Sequence, residues 1–358
     1  MKAGIVSLYG NFNYGNRLQS YAAQEILSEL GFDTEVICIQ PFKKRIYDIM
    51  LDVYFSKWAQ IIIRSSITLK NKYKRKKSFE QFNRQFINTK KYVSIAKIKD
   101  ADFFVLGSDQ VWNPKRYDKI RKELFFLTFT EDRKKVCFAP SFGISVLPDE
   151  WKPYFKKELE TFPMLSVREK AGRDIIKELT GRDADILIDP TLMINADKWI
   201  KICKKPIDID LDENYALNYF IGGQPEKAIQ KNEFLSSEYH IRVYNMFDYQ
   251  ASGLFTAGPS EFLYLIKNAA IIQTDSFHAC VFSFLFGKPF LLYAREGEDT
   301  DMLSRLETLF SMFDLERKYV NSGLPNDIFE CDYSTGYMRL AEERNKAIQF
   351  LKKSMNLK

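Results

Sequence analysis

A candidate for proton-transfer chemistry is His278, one of two histidines in the chain. It follows an apolar strand pattern at Ala269 to Thr274 and the polar pair Asp275 and Ser276, which places it in the first turn of a helix. The dipole at a helix N-terminus disfavours a protonated imidazole until an anion binds beside it. His278 is therefore suited to proton transfer coupled to anion binding, and a histidine with purely structural contacts is the alternative.

An arginine stands in a similar position earlier in the chain. Arg168 ends the strand pattern of LSVREKAG, residues 165–172, and Glu169 begins the helix that follows. A guanidinium binds phosphate or carboxylate through two parallel hydrogen bonds, so Arg168 is a candidate anion clamp, and an ion pair with an acidic side chain is the alternative. Asp189, in DPTLM, ends the next strand and is interpreted as a structural cap rather than a catalyst.

The segment GSDQVWNP, residues 107–114, carries the side-chain types that bind sugars. In such sites an aromatic face contacts sugar C–H groups, while carboxylates and amides orient the hydroxyls. The candidate acceptor-binding residues are Asp109, Gln110, Trp112 and Asn113, and Asp109 is also a candidate base. The structural alternative is a capping Asp109 and a buried Trp112.

A loop rich in glycine and asparagine, from Gly10 to Asn16, joins the first strand to the first helix. The backbone N–H groups of Gly15 and Asn16 are candidates for binding an anion at the helix N-terminus, and Arg17 adds a cation. The glycine spacing matches neither a dinucleotide-binding loop nor a Walker-type loop. A tight strand-to-helix turn is equally consistent with the pattern.

These residues need parallel strands that end at a common edge. Residues 1–40 show a strand, a helix and a strand, which is the β-α-β pattern of a parallel sheet. Further strand patterns are FFVLG, KVCFAP, MLSVR and DILIDP, then YALNYFIGG, HIRVYNM, AAIIQTD and KPFLLYA. In open α/β sheets, ligands bind beyond the carboxyl ends of the strands. The sequence predicts an α/β protein with two Rossmann-like domains that face a central cleft.

A chain of 358 residues exceeds the usual size of a single hydrophobic core, so two domains are expected. We predict an N-terminal, acceptor-side domain at residues 1–195 and a C-terminal, donor-side domain at residues 210–334. The weaker stretch from Thr191 to Glu213 is the predicted connection. Residues 335–358 form a charged amphipathic helix, which we expect to pack back on the N-terminal domain.

Positive charge is concentrated in residues 41–100, which carry 16 Lys and Arg against four Asp and Glu, in a chain of net charge +6. The helix pattern at Ile46 to Ser66 is followed by the basic run KNKYKRKKS. Together they indicate either an interfacial helix on an anionic membrane or a core-covering helix followed by a solvated loop. Nucleic acid is not an expected partner, because no recognised reading motif accompanies the basic run.

Membrane-spanning segments, disulfides and metal sites are not predicted. No stretch approaches the roughly 18 uninterrupted apolar residues that span a bilayer, and the N-terminus lacks the apolar region of a signal peptide. The five cysteines are scattered and form no C-x-x-C pair. The protein is therefore expected to be cytoplasmic, with peripheral contact at the inner membrane face as an option.

The stretches NYGN, GSDQVWNP, FAPSFG, LSVREKAG, DPTLM and TDSFHACVFSFLFGKPF, in this order, resemble the polysaccharide pyruvyl transferase family. The resemblance covers roughly residues 1–315 and implies a glycosyltransferase B-like fold. It also implies transfer of a pyruvyl group from phosphoenolpyruvate to a sugar, with formation of a pyruvate ketal and release of phosphate and without a cofactor or metal. The sugar acceptor would belong to a capsular, exopolysaccharide or cell-wall glycan, with a lipid-carrier-linked form as one option.

The resemblance assigns roles residue by residue. The histidine of the family corresponds to His278, the proposed proton-transfer residue, and the arginine of its Ser-Val-Arg-Glu motif corresponds to Arg168. Many members carry an arginine two residues before that histidine, whereas this chain has Ser276 at this donor-binding position. The candidates for the missing cation are Arg17, Lys288 and Arg295. The functional alternatives are a nucleotide-sugar-dependent glycosyltransferase and a non-catalytic member that binds glycan or assembles a synthesis complex.

Overall fold

A computed structural model gives the architecture of the chain. It describes residues 1–8, 12–40, 67–207, 209–249, 251–295, 303–320 and 327–357. Within these ranges the chain forms two principal parallel sheets, one in each half, with helices between the strands. The predicted α/β class with two Rossmann-like units is therefore confirmed.

The first sheet has five parallel strands in the order β3-β2-β1-β4-β5. They are β1 (Lys2–Val6), β2 (Asp33–Ile39), β3 (Thr89–Tyr92), β4 (Phe103–Leu106) and β5 (Lys135–Cys137). In the register of the sheet, Ala3 of the central strand β1 lies between Thr34 and Phe103. Strands β1 and β4 are largely buried, because helices cover both faces of a parallel sheet.

A short pair of parallel strands, β6 (Ser166–Val167) and β7 (Asp185–Ile186), forms a separate two-stranded sheet. The hydroxyl of Ser166 donates to the backbone oxygen of Cys137 at 2.9 Å and accepts from the backbone nitrogen of Ala139 at 3.2 Å. The next residue but one, Arg168, donates its backbone N–H to the oxygen of Pro140 at 3.1 Å. Arg168 therefore lies at the carboxyl edge of the first sheet.

Helices of the first half connect and cover these strands. They are α1 (Tyr14–Glu29), α2 (Ile67–Phe86), α3 (Lys119–Phe125), α4 (Lys152–Glu160), α5 (Lys170–Thr180), α6 (Pro190–Met193) and α7 (Ala196–Lys201). Helix α5 is followed by Gly181, whose φ of +71° is the left-handed conformation typical of a glycine after a helix.

The second sheet has four parallel strands in the order β11-β10-β8-β9. They are β8 (Tyr215–Tyr219), β9 (Arg242–Asn245), β10 (Ile271–Thr274) and β11 (Phe290–Leu292). The helices of this half are α8 (Glu226–Tyr239), α9 (Ser252–Phe255), α10 (Pro259–Asn268), α11 (Phe277–Leu285) and α12 (Leu303–Phe313). Every residue of α11 is buried, as expected for a helix that is apolar on all sides.

A shared hydrophobic core joins the two halves. Trp199 of α7 is fully buried, and its ring centroid lies 5.4 Å from that of Tyr21 and 5.0 Å from that of Phe282. Tyr14 of α1 stacks on Phe262 of α10 at 4.4 Å. The predicted connection, Thr191 to Glu213, contains most of α6 and all of α7, and its buried residues pack into this core.

The C-terminal helix α13 (Ser334–Ser354) lies against residues of the first half. Arg344 donates to the backbone oxygens of Leu192 at 2.7 Å and Ile194 at 3.0 Å. Lys346 donates to the oxygen of Ile186 at 2.8 Å. Through these contacts, the C-terminal helix is held against residues that follow the strands of the first half.

The basic run KNKYKRKKS lies within helix α2, so the expectation of a solvated loop is wrong for these residues. Arg75, in the middle of the run, is buried and donates to the backbone oxygen of Phe255 at 2.7 Å. Its guanidinium carbon lies 4.9 Å from the ring centroid of Tyr14. The predicted helix at Ile46 to Ser66 lies outside the described residues. None of the helices in the described ranges has the length and hydropathy of a membrane span.

Candidate functional site

The turn between β10 and α11 fixes the position of His278. Thr274 Oγ1 donates to the backbone oxygen of Tyr219 at 2.6 Å and accepts from the backbone nitrogen of Ser276 at 3.0 Å. Ser276 is the N-cap residue of α11, which begins at Phe277. His278 therefore lies in the first turn of a buried helix at the carboxyl end of a strand, as the sequence pattern predicts, and it is 7% exposed.

Asp275 connects this turn to the loop after β8 and to Arg295. Its carboxylate accepts from the backbone nitrogens of Ile221 at 2.7 Å and Gly222 at 2.8 Å. It also accepts from Nε of Arg295 at 2.9 Å. Arg295, one of the candidates for the missing cation, is thus adjacent to the turn and held there by an ion pair.

The His278 ring packs directly on the first turn of α1. A Cβ atom built on Gly15 would lie 2.0 Å from Nδ1 of His278 and 2.4 Å from its Cε1, closer than these atoms can approach. Asn13 caps the helix, because its Oδ1 accepts from the backbone nitrogen of Asn16 at 3.1 Å. Only glycine leaves room for the imidazole at this position. The N-terminal NYGN motif and the histidine motif therefore meet in the structure.

Asp189 connects His278 to the first sheet. Its Oδ2 lies 3.7 Å from Nε2 of His278 and 2.5 Å from Nη1 of Arg168, and it accepts from the Ser108 hydroxyl at 2.7 Å. Its Oδ1 accepts from the backbone nitrogen and the hydroxyl of Thr191 at 3.0 and 2.7 Å, which is the predicted capping role. We refer to Arg168, Asp189 and His278 as the Arg-Asp-His cluster. The contact of Asp189 with His278 was missed by the sequence analysis.

Asp189 is 1% exposed, and burial and the neighbouring charged groups shift the pKa of its carboxyl in opposite directions. Burial raises the pKa of its carboxyl, but the neighbouring His278 and Arg168 outweigh this effect and hold the pKa well below its ordinary value. The carboxylate therefore stays charged at neutral pH. It can offset the positive charge that His278 carries while it transfers a proton.

We expect Asp189→Asn to lower the free energy of unfolding at neutral pH by about 3–5 kcal/mol, because Arg168 is left buried without its counter-ion. Since folding lowers the pKa of Asp189, this stabilisation is present above the unfolded pKa of about 4 and is lost as the pH falls below it. Urea unfolding of both proteins at neutral pH and on either side of the unfolded pKa measures the effect. A stability difference that stays constant across these pH values would contradict the assignment.

Arg168 is also buried, and the described residues form hydrogen bonds to only part of its guanidinium. Nη1 bonds to Asp189 and Ser108, and the ring of Phe277 lies 4.3 Å from the guanidinium carbon. Nε and Nη2 have no hydrogen-bond partner in the described part of the chain. These two N–H groups share one edge of the guanidinium, which is the geometry that binds a phosphate or carboxylate through two hydrogen bonds. Arg168 is therefore both ion-paired and able to bind an anion.

Glu169 shapes the loop beside Arg168. One carboxylate oxygen, Oε1, accepts from the Ser141 hydroxyl at 2.9 Å and from the backbone nitrogens of Phe142 at 2.8 Å and Gly143 at 3.1 Å. These residues belong to the motif FAPSFG. The contact holds this motif at the carboxyl edge of the sheet, next to the Arg-Asp-His cluster.

The four predicted acceptor-binding residues have different surroundings. Asp109 lies at the carboxyl end of β4 with a φ of +82°, a conformation that non-glycine residues adopt rarely and often at functional sites. Gln110 accepts from Nε of Arg116 at 2.8 Å. Trp112 is fully buried, and its Nε1 donates to the oxygen of Phe125 at 3.2 Å.

One of these expectations, for Trp112, needs correction, and Asn113 has a structural contact. Trp112 lies in the hydrophobic core, stacked on Phe126, so its ring has no face to offer a sugar. Asn113 is 5% exposed, and its side chain accepts from the backbone nitrogen of Lys115, which caps a short 3₁₀ helix. Asp109 follows Ser108, whose hydroxyl donates to Asp189, and Asp109 and Gln110 stay the predicted acceptor-binding residues.

The other predicted donor-binding residues are distributed as follows. Lys288 precedes β11 and therefore lies at the amino edge of the second sheet. His278 lies at the opposite, carboxyl edge, so the prediction that Lys288 binds the donor is wrong. Arg17 is buried in the first turns of α1, close in sequence to Gly15. Gly10 and Asn11, at the start of the predicted anion loop, lie outside the described residues.

Arg305 is a further cation that the sequence analysis did not identify. It lies in the first turn of α12, is 3% exposed, and lines a small cavity together with Arg168, Asp189 and Phe277. An arginine in an amphipathic helix carries no local signal that distinguishes it from a surface cation. Its position becomes apparent only in the folded chain.

Several solved structures match nearly the full length of the chain at low sequence identity. UDP-GlcNAc 2-epimerase from Neisseria meningitidis, bound to UDP-GlcNAc, is 10% identical with a TM-score of 0.44, and the match covers 99% of this chain and 100% of that chain. MurG from Acinetobacter baumannii is 9% identical with a TM-score of 0.38, covering 98% and 95%. No curated protein is significantly similar in sequence.

A match to a family model shows the family to which the chain belongs. The model described as "Polysaccharide pyruvyl transferase" matches residues 13–297, which is well over half of the chain. The matched range includes Gly15, Asp109, Arg168, Asp189 and His278, whereas Arg305 lies beyond it. The chain therefore belongs to the polysaccharide pyruvyl transferase family.

Proposed function

We propose that this protein transfers a pyruvyl group from phosphoenolpyruvate to a sugar of a capsular, exopolysaccharide or cell-wall glycan. The product is a pyruvate ketal, and phosphate is released. The observation that supports this proposal most directly is the Arg-Asp-His cluster. It joins a histidine to a buried guanidinium through a shared carboxylate, at the place where the carboxyl edges of the two sheets meet.

The reaction needs a proton donor and an anion site. Protonation of C3 of phosphoenolpyruvate turns the methylene into a methyl group and makes C2 electrophilic. One sugar hydroxyl then forms a C–O bond to C2, the bond from C2 to the phosphate oxygen breaks, and a second hydroxyl closes the ketal. Of the two hydroxyl protons released, one balances the proton added to C3 and the other leaves with phosphate.

The residues of the cluster suit these steps. His278 transfers the proton, and the carboxylate of Asp189, 3.7 Å away, offsets the charge on the imidazole. The Nε and Nη2 edge of Arg168 binds an anionic group of the donor. Asp109, at the end of the neighbouring strand, is the proposed acceptor-binding residue and base for a sugar hydroxyl.

Calorimetric titration of phosphoenolpyruvate, with UDP and GDP as comparators, tests the proposal. We expect the unmodified protein to bind phosphoenolpyruvate in preference to either nucleotide. Arg168→Lys should weaken this binding by about 10- to 100-fold, because lysine keeps a positive charge beside Asp189 but lacks the two parallel N–H donors of the guanidinium. Arg173→Lys is the matched control, since Arg173 lies on α5 with an exposed side chain paired to Asp174.

Other outcomes would favour a different function or would change the role of Arg168. Selective binding of UDP or GDP would contradict pyruvyl transfer and favour a nucleotide-sugar-dependent glycosyltransferase. Glycan binding without binding of phosphoenolpyruvate, UDP or GDP would favour the non-catalytic alternative. Equal phosphoenolpyruvate binding by Arg168→Lys and the unmodified protein would remove Arg168 from the donor site.

A further inference from the structure

Helix α12 brings a second buried arginine to the Arg-Asp-His cluster. Thr308 of this helix accepts at its hydroxyl from the backbone nitrogen of Lys170, at the start of α5, at 3.2 Å. This contact docks α12 of the second half against the helix that follows Arg168. Arg305, one turn before Thr308, is thereby enclosed, with 3% of its surface exposed.

Arg305 and Arg168 line the same cavity. Asp189 and Phe277 contribute to the same wall, and the remaining lining is mostly apolar. The cavity has room for about one water molecule, so a larger anion requires the α12 side of the cavity to move away from Arg168 and Asp189 as it binds. Two guanidinium groups and the one carboxylate of Asp189 leave this space with a net positive charge, which favours an anion.

The charges around Arg305 are consistent with such a site. Burial and the positive charge of Arg168 lower the pKa of Arg305 to about 9, while the carboxylates of Asp109 and Glu169 act in the opposite direction and Arg295 adds to the lowering. An arginine side chain keeps its charge at neutral pH, so the protein holds these cations together at an electrostatic cost. A bound dianion would offset that cost.

The other cations near the cluster are less suited to this role. Arg295 pairs with Asp275 and is not among the residues that line this cavity, and Lys288 lies at the opposite edge of its sheet. Ser276 carries no charge. Arg305 is the described cation that shares a cavity with Arg168.

We propose that Arg305 is a second donor-binding residue, which binds the phosphate group of the donor together with Arg168. This inference rests on the proposed function for the identity of the donor, phosphoenolpyruvate. The phosphate-binding step, however, concerns Arg305 itself and can be measured with inorganic phosphate alone.

The experiment compares phosphoenolpyruvate and inorganic phosphate binding, by calorimetry and by the ligand-induced rise in Tm. The proteins are the unmodified chain, Arg305→Gln, Arg305→Lys and Arg317→Gln. Arg317 is the matched control, because it follows α12 but has an exposed side chain paired with Glu330. We expect Arg305→Gln to weaken both ligands by about 10- to 100-fold, Arg305→Lys to weaken them about 10-fold, and Arg317→Gln to leave both unchanged.

The outcomes separate this inference from the proposed function. Unchanged affinity for both ligands in the Arg305 variants, with phosphoenolpyruvate bound by the unmodified protein, overturns the role of Arg305 and leaves the function standing. Phosphate binding that depends on Arg305, without phosphoenolpyruvate binding, overturns the function and supports the site. Binding of neither ligand by the unmodified protein overturns both. If Arg305→Gln does not fold, the Arg305→Lys comparison decides.

Discussion

Replacing His278 with alanine is expected to lower the rate of pyruvyl transfer by about 10²–10⁴-fold, the usual contribution of a positioned proton-transfer group. The side chain lies in the first turn of α11, and its ring packs against Gly15. Its Nε2 is 3.7 Å from the Asp189 carboxylate. No other described histidine lies near this cluster. The rate is measured as phosphate release from phosphoenolpyruvate, with the acceptor glycan that gives the highest rate in the unmodified protein.

His240 provides the control for this substitution. It lies at the end of α8 with a φ of +53°, in the left-handed conformation that asparagine tolerates well. His240→Asn should therefore keep the rate of the unmodified protein. A His278→Ala rate within about threefold of the unmodified protein is too small an effect for proton-transfer catalysis, and it would leave His278 with a structural role only.

The strands and the order of the chain could be predicted because their sequence signals are local. Apolar runs bounded by glycine, proline and charged residues located β1, β4, β8 and β10 within a few residues. Strand β3 (Thr89–Tyr92) was missed, because it is short, carries two lysines and lies at the edge of its sheet. An edge strand with charged side chains has no apolar pattern by which it can be recognised.

The candidate site was predictable only in part. Residues at the ends of strands, such as Arg168 and His278, could be placed because parallel strands end at one edge of a sheet. The pairing of Asp189 with His278 depends on the approach of two sheets that are far apart in sequence, so no local pattern indicates it. Trp112 shows the opposite error, since its sequence context fits sugar binding although the side chain packs in the core.

Gly15→Ala is expected to lower the rate of pyruvyl transfer by about 10²-fold or more, although residue 15 offers no reactive group. The added Cβ would lie 2.0 Å from Nδ1 of His278, so the imidazole must move from its position beside Asp189. A displacement on the order of 1 Å is enough for a loss of this size. Alanine favours the helical backbone at this position, so α1 should persist and the strain should fall on the imidazole.

A double-mutant cycle tests whether this loss acts through His278. In the His278→Ala background the ring is gone, so adding Gly15→Ala should change the remaining rate by less than about threefold, because two residues that act as one unit are not additive. Equal factors in both backgrounds would mean that Gly15 acts independently of the histidine, for example through the substrate. Non-additivity would establish that the N-terminal NYGN motif contributes to the reaction by leaving space for a side chain from the other half of the chain.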